Sequence, residues 1–298
     1  MQMVKEAPVQ KTAPITRWGQ DRRLEFIDFR LLWEGRVNRS DLTSYFGISI
    51  PQASADLTKY QELAPSNLVY DKQVKAYVAA PSFHPVIESL NAYSFLNAIR
   101  QVDGQMLALD ATFLGWMPPY WVIRTPSRHV DVSTLRSSLH AIRTNTQLLI
   151  EYQSKNRPLP SRRFISPHAL AFDGIRWHLR AYCFEHAEFR DFVISRMTLA
   201  ERTSEPGFDP TGDASWNSEV SVIIEPSPGI AEGHRRTIEL DYGMIDGRSE
   251  LRVREAMLLY LLRQLPLRRG DSGTWKEPLV LVNFAELQPA LDRVGFVF

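Results

Sequence analysis

Hydrophobic and polar positions change their spacing several times along the chain. From 21 to 35 the apolar residues recur at helical spacing, and two shorter helical segments follow at 40–47 and 51–63, separated by a glycine turn. Two short β-like runs between 67 and 79 then flank Asp71-Lys72-Gln73, which is typical of a hairpin. Helix, turn, helix and hairpin in this order predict a winged helix-turn-helix over 21–82, after a flexible arm at 1–20.

The middle of the chain changes from helical to strand character. A helix is predicted at 86–102, within a linking and dimerisation region at 83–134, and a shorter one at 132–141. Strand-like runs separated by Pro, Gly or charged turns follow at 148–152, 162–165, 169–172, 175–183 and 189–195. These runs predict a small twisted sheet or barrel in a domain over 135–203.

The last third predicts a linker and then a small α+β unit. Residues 204–219 are rich in Ser, Pro, Gly and Asp, which is typical of a linker. Within 220–298, strands are predicted at 220–225, near 237–241 and at 250–253, followed by an amphipathic helix at 254–265. This helix has more apolar surface than one face needs, so it packs against a partner chain or is buried inside one domain. The whole chain is therefore predicted to be an α+β multidomain protein.

Composition limits the class of protein. The 298 residues include 35 basic and 34 acidic ones, so nucleic acid would have to be bound by a local patch rather than by bulk charge. One cysteine, Cys183, excludes a disulfide framework and a cysteine metal cage. The N-terminus has no apolar signal region, and no run of 18 apolar residues occurs. We therefore expect no membrane partner and a cytoplasmic location.

The helix-turn-helix carries residue types that suit DNA. The second of its paired helices is predicted to expose or nearly expose Ser49, Gln52, Ser54, Ala55, Thr58, Lys59 and Tyr60. Gln, Ser and Thr can contact base edges, and Lys and Tyr can hold phosphates. Arg36 and Arg39 beside the first helix, with Lys72 and Lys75 in the hairpin, are candidate contacts to the DNA backbone. Because basic and acidic residues nearly balance in this region, we expect a dimer that binds an inverted repeat in double-stranded DNA.

The segment 165–196 carries the densest chemistry, and here the sequence resembles the WYL-domain family. The resemblance rests on Ser166-Pro167-His168, Trp177-His178-Leu179-Arg180, Phe189-Arg190-Asp191-Phe192 and Ser195-Arg196. The namesake Trp-Tyr-Leu triplet is Trp-His-Leu in this chain. His178 therefore stands at the tyrosine position, where it could make a site sensitive to pH.

The resemblance implies an architecture and a function. WYL domains are small Sm-like β-barrels of bacterial regulators, which commonly follow a winged helix-turn-helix and precede a C-terminal extension. Asp-Tyr-Gly-Met at 241–244 and the helix after it resemble the BrxR/CapW-type subgroup, which regulates phage-defence islands such as BREX and CBASS. A WYL barrel at 135–203, a WCX-like dimerisation domain at 220–298 and a homodimeric repressor are the expectations that follow.

The resemblance also implies an effector site, lined by Ser166, His168, His178, Arg180, Arg190 and Arg196. Alternation along a strand independently places His178, Arg180 and Tyr182 on one side, and Trp177, Leu179 and Ala181 on the buried side. Guanidinium groups suit phosphate and aromatic rings suit bases, so a nucleotide or nucleic acid is the expected effector.

Other readings of these residues stay open. The arginines would otherwise form ordinary surface ion pairs with Glu185, Glu188, Asp191 and Glu201, and His168 would be a structural histidine. Catalytic motifs are lacking: there is no Gly-rich phosphate loop, no HExxH and no G-x-S-x-G, and the seven histidines have no paired spacing. We therefore predict no catalytic residue, metal or cofactor. The alternative to a DNA-binding regulator is a nucleotide or nucleic-acid sensor whose N-terminal unit only dimerises.

Overall fold

The computed structural model describes residues 19–87, 91–123, 128–267 and 278–294, and the chain divides into two compact units at 1–125 and 126–298. The arm predicted at 1–20 lies outside the described residues except for its last two. Within those ranges, every helix is too short or too polar to cross a membrane.

The first unit contains the predicted winged helix-turn-helix. Its elements are α1 (Gln20–Glu34), β1 (Arg36–Val37), α2 (Arg39–Phe46), α3 (Ile50–Leu63), β2 (Leu68–Asp71) and β3 (Ala76–Ala79). The three strands form an antiparallel sheet in the order β1-β3-β2, with β2 and β3 as the wing. Gly47 ends α2 with a φ of 65°, which glycine adopts without strain. Ser49 then caps α3, and Pro51 lies in its first turn.

A helix predicted to begin at 86 begins later. The helix α4 (Ala92–Asp103) starts after Asn91, whose side chain accepts the backbone N–H of Ser94. The backbone N–H groups of Val86 and Ile87 instead donate to the buried carboxylate of Asp28, each at 2.9 Å. This anchoring holds Val86 and Ile87 outside a helix.

The second unit begins with α5 (Val132–Thr144) and a sheet. Its strands are β4 (Thr146–Tyr152), β5 (Ser161–Phe172), β6 (Trp177–Cys183), β7 (Glu188–Val193) and β8 (Met197–Pro206). Their antiparallel order is β7-β6-β5-β4-β8. Two predicted strands merge into β5, because the register shift between Pro167 and Ala169 accommodates a residue without an N–H donor. Among the described strands β7 and β8 are unpaired edges, so the closed Sm-like barrel is not shown.

The C-terminal part of this unit is a second α+β layer. It contains α6 (Ala214–Asn217), β9 (Glu219–Pro226), α7 (Glu232–Asp241), β10 (Ser249–Arg254), α8 (Leu258–Gln264), β11 (Leu279–Leu281) and α9 (Phe284–Val294). The strands form an antiparallel sheet in the order β10-β9-β11. Leu258 and Leu262 of α8 are buried against Val222 and Ile224 of β9, so this helix belongs to the core of its own domain.

Two predictions for this region are wrong. The residues predicted as a strand near 237–241 form the second half of α7, which the ion pair between Arg235 and Glu239 at helical spacing supports. The segment 204–219, predicted as a linker, contains the end of β8, a 3₁₀ turn (Pro210–Gly212) and α6. It is held to the sheet because the Gly207 N–H donates to the Asn145 carbonyl at 2.7 Å.

Gly207 is expected to tolerate no side chain. A Cβ at this position would lie 2.5 Å from Asn145 Oδ1 and 2.6 Å from Ser166 Oγ. We predict that Gly207→Ala lowers the free energy of unfolding by about 1–3 kcal/mol, as overpacking does. Thermal and urea unfolding followed by circular dichroism would measure it. Gly233→Ala is the control, because nothing lies within 4 Å of its Cβ position; equal stability of the two variants would contradict the prediction.

Candidate functional site

The outer face of α3 presents most of the side chains that the sequence predicts for base contact. Gln52, Ala55, Thr58 and Lys59 are exposed, and Ser54 is half-buried. The Ser54 and Thr58 hydroxyls each donate to a backbone carbonyl one turn earlier at 3.0 Å, so their oxygens are left as acceptors. Lys59 is paired with the exposed Glu62 at 3.1 Å, an interaction that a phosphate could replace.

The expected exposure of Tyr60 is wrong. Tyr60 is completely buried, and its hydroxyl donates to the Asp28 carboxylate and accepts from Asn67 Nδ2 at 3.1 Å. Burial raises the pKa of Tyr60 above its usual value, and the hydrogen bond to Asp28 adds to the effect. Burial likewise raises the pKa of Asp28, and this effect outweighs the hydrogen bonds to its carboxylate, which lower the pKa. Tyr60 therefore fixes α3 against α1 and lies out of reach of DNA.

The start of α2 and the wing form a cationic cleft. The cleft has a volume of about 190 Å³ and is lined by Asn38, Arg39, Ser40, Tyr70, Lys75 and Tyr77. The Arg39 guanidinium lies 6.0 Å from the centroid of the Tyr77 ring, and Arg39 Nη2 is 3.5 Å from the Tyr77 hydroxyl. Arg36 and Lys72 are also exposed, on β1 and in the wing turn. Cations and hydroxyls at an open surface suit a DNA phosphate.

In the second unit, a buried carboxylate organises the predicted effector residues. Asp213 Oδ2 accepts from Arg180 Nε at 2.7 Å and lies 3.0 Å from His168 Nε2, while Oδ1 accepts from Arg180 Nη2 at 2.9 Å. Burial opposes the ionisation of Asp213, but the hydrogen bonds from His168 and Arg180 outweigh it and hold the pKa of Asp213 well below its usual range. Arg180 also pairs with Asp191 at 3.3 Å. Arg180 is therefore already paired with two carboxylates of the protein. One of them, Asp191, is among the ion-pair partners that the sequence analysis gives as the alternative to an effector site.

Strand β6 is covered on both faces, which the predicted alternation does not anticipate. His178 is buried, with Nε2 2.8 Å from Asp173 Oδ2 and its ring centroid 4.7 Å from that of Tyr260 on α8. Leu179 is buried as predicted, but Trp177 is 49% exposed, so its predicted burial is wrong. Trp177 begins the strand and packs beside Phe172 at the end of the sheet, where the core no longer covers it.

The remaining predicted effector residues are divided between structural and exposed positions. Ser166 is buried, and its hydroxyl oxygen accepts the Phe208 N–H at 2.7 Å. The Tyr182 ring stacks on Phe208 with the ring centroids 3.7 Å apart. Arg190 pairs with the exposed Glu188, whereas Arg196 is half-buried at the end of a 3₁₀ turn after β7.

A cleft of about 360 Å³ brings Arg180 and Arg190 together with residues that the sequence analysis missed. Arg293 of α9 and Tyr260 of α8 also line it. The Tyr260 hydroxyl donates to Asp191 Oδ2 at 3.1 Å, and burial raises the pKa of Tyr260 above its usual value, with the Asp191 charge adding to the effect. The cleft therefore lies between the five-stranded sheet and the C-terminal helices.

Cys183 lies in a small group of possible metal ligands. Its Sγ is 3.3 Å from His186 Nδ1, and one ligand atom each from Cys183, Glu185 and His186 lie within 4.8 Å of one another. Glu185 is already paired with Arg157 at 3.0 Å and with Arg163 at 3.4 Å. These two guanidinium groups disfavour a bound cation.

The order of domains agrees with known families. The chain matches the BrxR transcriptional regulator winged helix-turn-helix domain at 19–101, the WYL domain at 133–202 and the BrxR transcriptional regulator C-terminal dimerization domain at 219–287. The fold and these matches define a regulator built from a winged helix-turn-helix and a WYL domain. A solved structure, proteasome accessory factor B/C of Arthrobacter aurescens, covers 98% of this chain and 51% of its own at 14% identity, but its TM-score of 0.27 is too low to infer a shared fold.

Curated relatives narrow the assignment. DNA-binding transcriptional repressor CapW of Stenotrophomonas maltophilia is 46% identical over 84% of both chains. The protein of that name from Escherichia coli (strain KTE188) is 42% identical over 91% of both chains. The one from Pseudomonas aeruginosa is 40% identical over 96% of this chain and 97% of its own. The chain therefore belongs to the CapW family of transcriptional repressors.

Asp213 is expected to stabilise the second unit in a pH-dependent way. Because its pKa is lowered on folding, its stabilisation is complete above the unfolded value of about 3.9 and is lost as the pH falls below it. We predict that Asp213→Asn lowers the free energy of unfolding at pH 7 by about 3 kcal/mol, since Arg180 is left buried without its main partner. Urea unfolding from pH 7 to pH 3 should show this difference shrinking in acid. Glu188→Gln, at an exposed pair, is the control; a difference that stays constant with pH would contradict the assignment.

Proposed function

We propose that this protein is a homodimeric transcriptional repressor that binds an inverted-repeat operator in double-stranded DNA. The observation that carries the proposal is the exposed polar face of α3, together with the cationic cleft that the start of α2 and the wing form in the same unit. A recognition helix flanked by phosphate contacts is the arrangement by which winged helix-turn-helix units read the major groove. The 40–46% identity to CapW repressors supports the same function.

The dimer is part of the proposal. Acidic and basic residues nearly balance in the first unit, so one copy would neutralise few phosphates and bind weakly. Two copies joined by their C-terminal domains would contact two half-sites at once. The match of 219–287 to a dimerization domain supports this part.

We further propose that a nucleotide or nucleic-acid effector binds the cleft between the five-stranded sheet and the C-terminal helices. A phosphate could replace Asp191 as the partner of Arg180, with Arg190 as a second cation and the Phe189 ring beside a base. Tyr260 would lose its Asp191 acceptor at the same time. Effector binding would then be transmitted through α8 to the C-terminal domain and to the spacing of the two DNA-binding units.

The regulated genes are proposed to form a phage-defence operon. The basis is the match of both terminal domains to BrxR regulators, together with the CapW relatives. Sequencing of RNA from strains with and without the gene tests this proposal. An adjacent defence operon should rise in the absence of the repressor.

The recognition face of α3 has a direct test. We predict that the double variant Gln52→Ala and Lys59→Ala reduces binding to the DNA upstream of its own gene by more than tenfold, because a base contact and a phosphate contact are lost. A gel-shift titration at low salt measures the affinity, and circular dichroism checks folding. Gln61→Ala, at the exposed C-terminal end of α3, should bind like the wild type. An unshifted wild type would refute DNA binding, and an unaffected double variant would refute this helix face.

A test of the effector cleft needs a variant that leaves the buried hydrogen bonds between Arg180 and Asp213 intact. Arg190 meets this need because its partner Glu188 is exposed, whereas loss of Arg180 would leave Asp213 buried without its cation. We predict that Arg190→Ala binds operator DNA normally but that its response to short single-stranded DNA or to ATP is weakened at least fivefold. Fluorescence anisotropy of labelled operator measures both properties. Arg162→Ala, at an exposed pair on β5, is the control, and a normal response of Arg190→Ala would exclude this residue from the site.

A further inference from the structure

The amide of Gln52 is held in one orientation on the exposed face of α3. Its Nε2 donates to Asp56 Oδ1 at 3.2 Å, one helical turn further along. A carboxylate only accepts hydrogen bonds, so the nitrogen end of the amide must be the end that faces Asp56. The carbonyl oxygen of Gln52 is thereby fixed as the end that faces away from Asp56, and one of the two N–H groups of the amide is engaged.

Asp56 is itself fixed by contacts that have nothing to do with DNA. Its side chain is completely buried, and Oδ2 accepts from Arg23 Nε at 2.6 Å. Oδ1 also accepts from Arg23 Nη2 at 3.2 Å and from Gln20 Nε2 at 3.5 Å, both on α1. The packing of α1 against α3 therefore sets the position of the carboxylate, and the carboxylate sets the orientation of the Gln52 amide.

Gln52 also stands where base contacts are made. It is the third residue of α3, and the helix begins directly after its cap, Ser49. The Ser49 hydroxyl oxygen accepts the Gln52 backbone N–H at 3.3 Å. The N-terminal residues of a recognition helix are those that contact base edges in the major groove. A free glutamine commonly pairs with adenine through both ends of its amide. Here Asp56 engages one of the two N–H groups and fixes which way the amide faces, while the second N–H stays beside the carbonyl oxygen.

We propose that Asp56 is a positioning residue that makes Gln52 an acceptor, so that Gln52 selects a base with an exocyclic amino group. In the major groove only adenine N6 and cytosine N4 donate hydrogen bonds, whereas guanine O6 and thymine O4 accept them. One position in each half-site should therefore prefer adenine or cytosine over guanine or thymine on the same strand. This inference rests on the proposed binding of DNA through α3.

The experiment has two stages with the full-length protein. A pool of randomised duplex DNA is first selected for binding and sequenced, with wild type, Gln52→Ala and Gln61→Ala. The position that Gln52 contacts is the one whose preference disappears in Gln52→Ala and persists in Gln61→Ala. Anisotropy titrations with four duplexes that differ only at this position then measure the preference, expected to be about fivefold to tenfold for adenine and cytosine.

A second variant separates positioning from stability. Asp56→Asn can release the Gln52 amide to turn its nitrogen outward, so the four duplexes should bind with more nearly equal affinity, whatever the overall loss of stability. If this variant does not fold, the wild-type and Gln52→Ala measurements still decide whether Gln52 reads an amino group.

The outcomes distinguish the inference from the proposed function. No enriched motif for the wild type overturns DNA binding by this protein, and the inference with it. A motif in which no position depends on Gln52, or a Gln52-dependent position that prefers guanine or thymine, overturns the inference alone. A position that prefers adenine over cytosine supports it, because the second N–H of the fixed amide can then donate to adenine N7 while the carbonyl oxygen accepts from N6.

Discussion

Buried carboxylates are the constraint on which both units depend. A charged group removed from water costs free energy unless protein partners replace the lost hydrogen bonds. In the first unit, Asp28 joins α1 to α3 and to the connection after the wing, and Asp56 joins α3 to α1. In the second, Asp213 joins β5 and β6 to the segment that enters the C-terminal domain, and Asp173 holds His178. Each carboxylate thereby fixes segments that are distant in sequence.

This arrangement separates the residues that set geometry from those that are free to contact ligands. Gln52 and Arg190 are exposed and each has one side-chain partner, while Asp56 and Asp213 are buried and each accepts several hydrogen bonds. A bound phosphate can replace an exposed ion pair such as that of Arg190 with Glu188 at little cost, whereas replacing a buried ion pair would disturb the core. The burial of a polar side chain and the number of its hydrogen-bond partners therefore distinguish a candidate ligand contact from a positioning group. In the sequence alone both are simply polar residues.

Local signals explain what could be predicted from the sequence. The winged helix-turn-helix follows from the Gly47 turn, the Ser49 cap and the hairpin composition, all within a few residues. The burial of Tyr60 could also have been predicted, because it recurs at helical spacing with Ala53, Asp56 and Leu57 on one face of α3, and all four residues are buried. The partners in the second unit were not accessible: Arg180 and Asp213 lie 33 residues apart, and Asp191 and Tyr260 lie 69 apart, so that no periodicity connects them.

The single cysteine has a practical consequence for observing this protein. Cys183 is completely buried in the five-stranded sheet, and it is the chain's one thiol. Because maleimide and spin-label reagents need an accessible thiolate, the native chain should label slowly while folded. A cysteine introduced in the wing turn would then be the position that reacts. In a homodimer this would place one probe on each wing, and the distance between the two probes would report directly on the separation of the DNA-binding units.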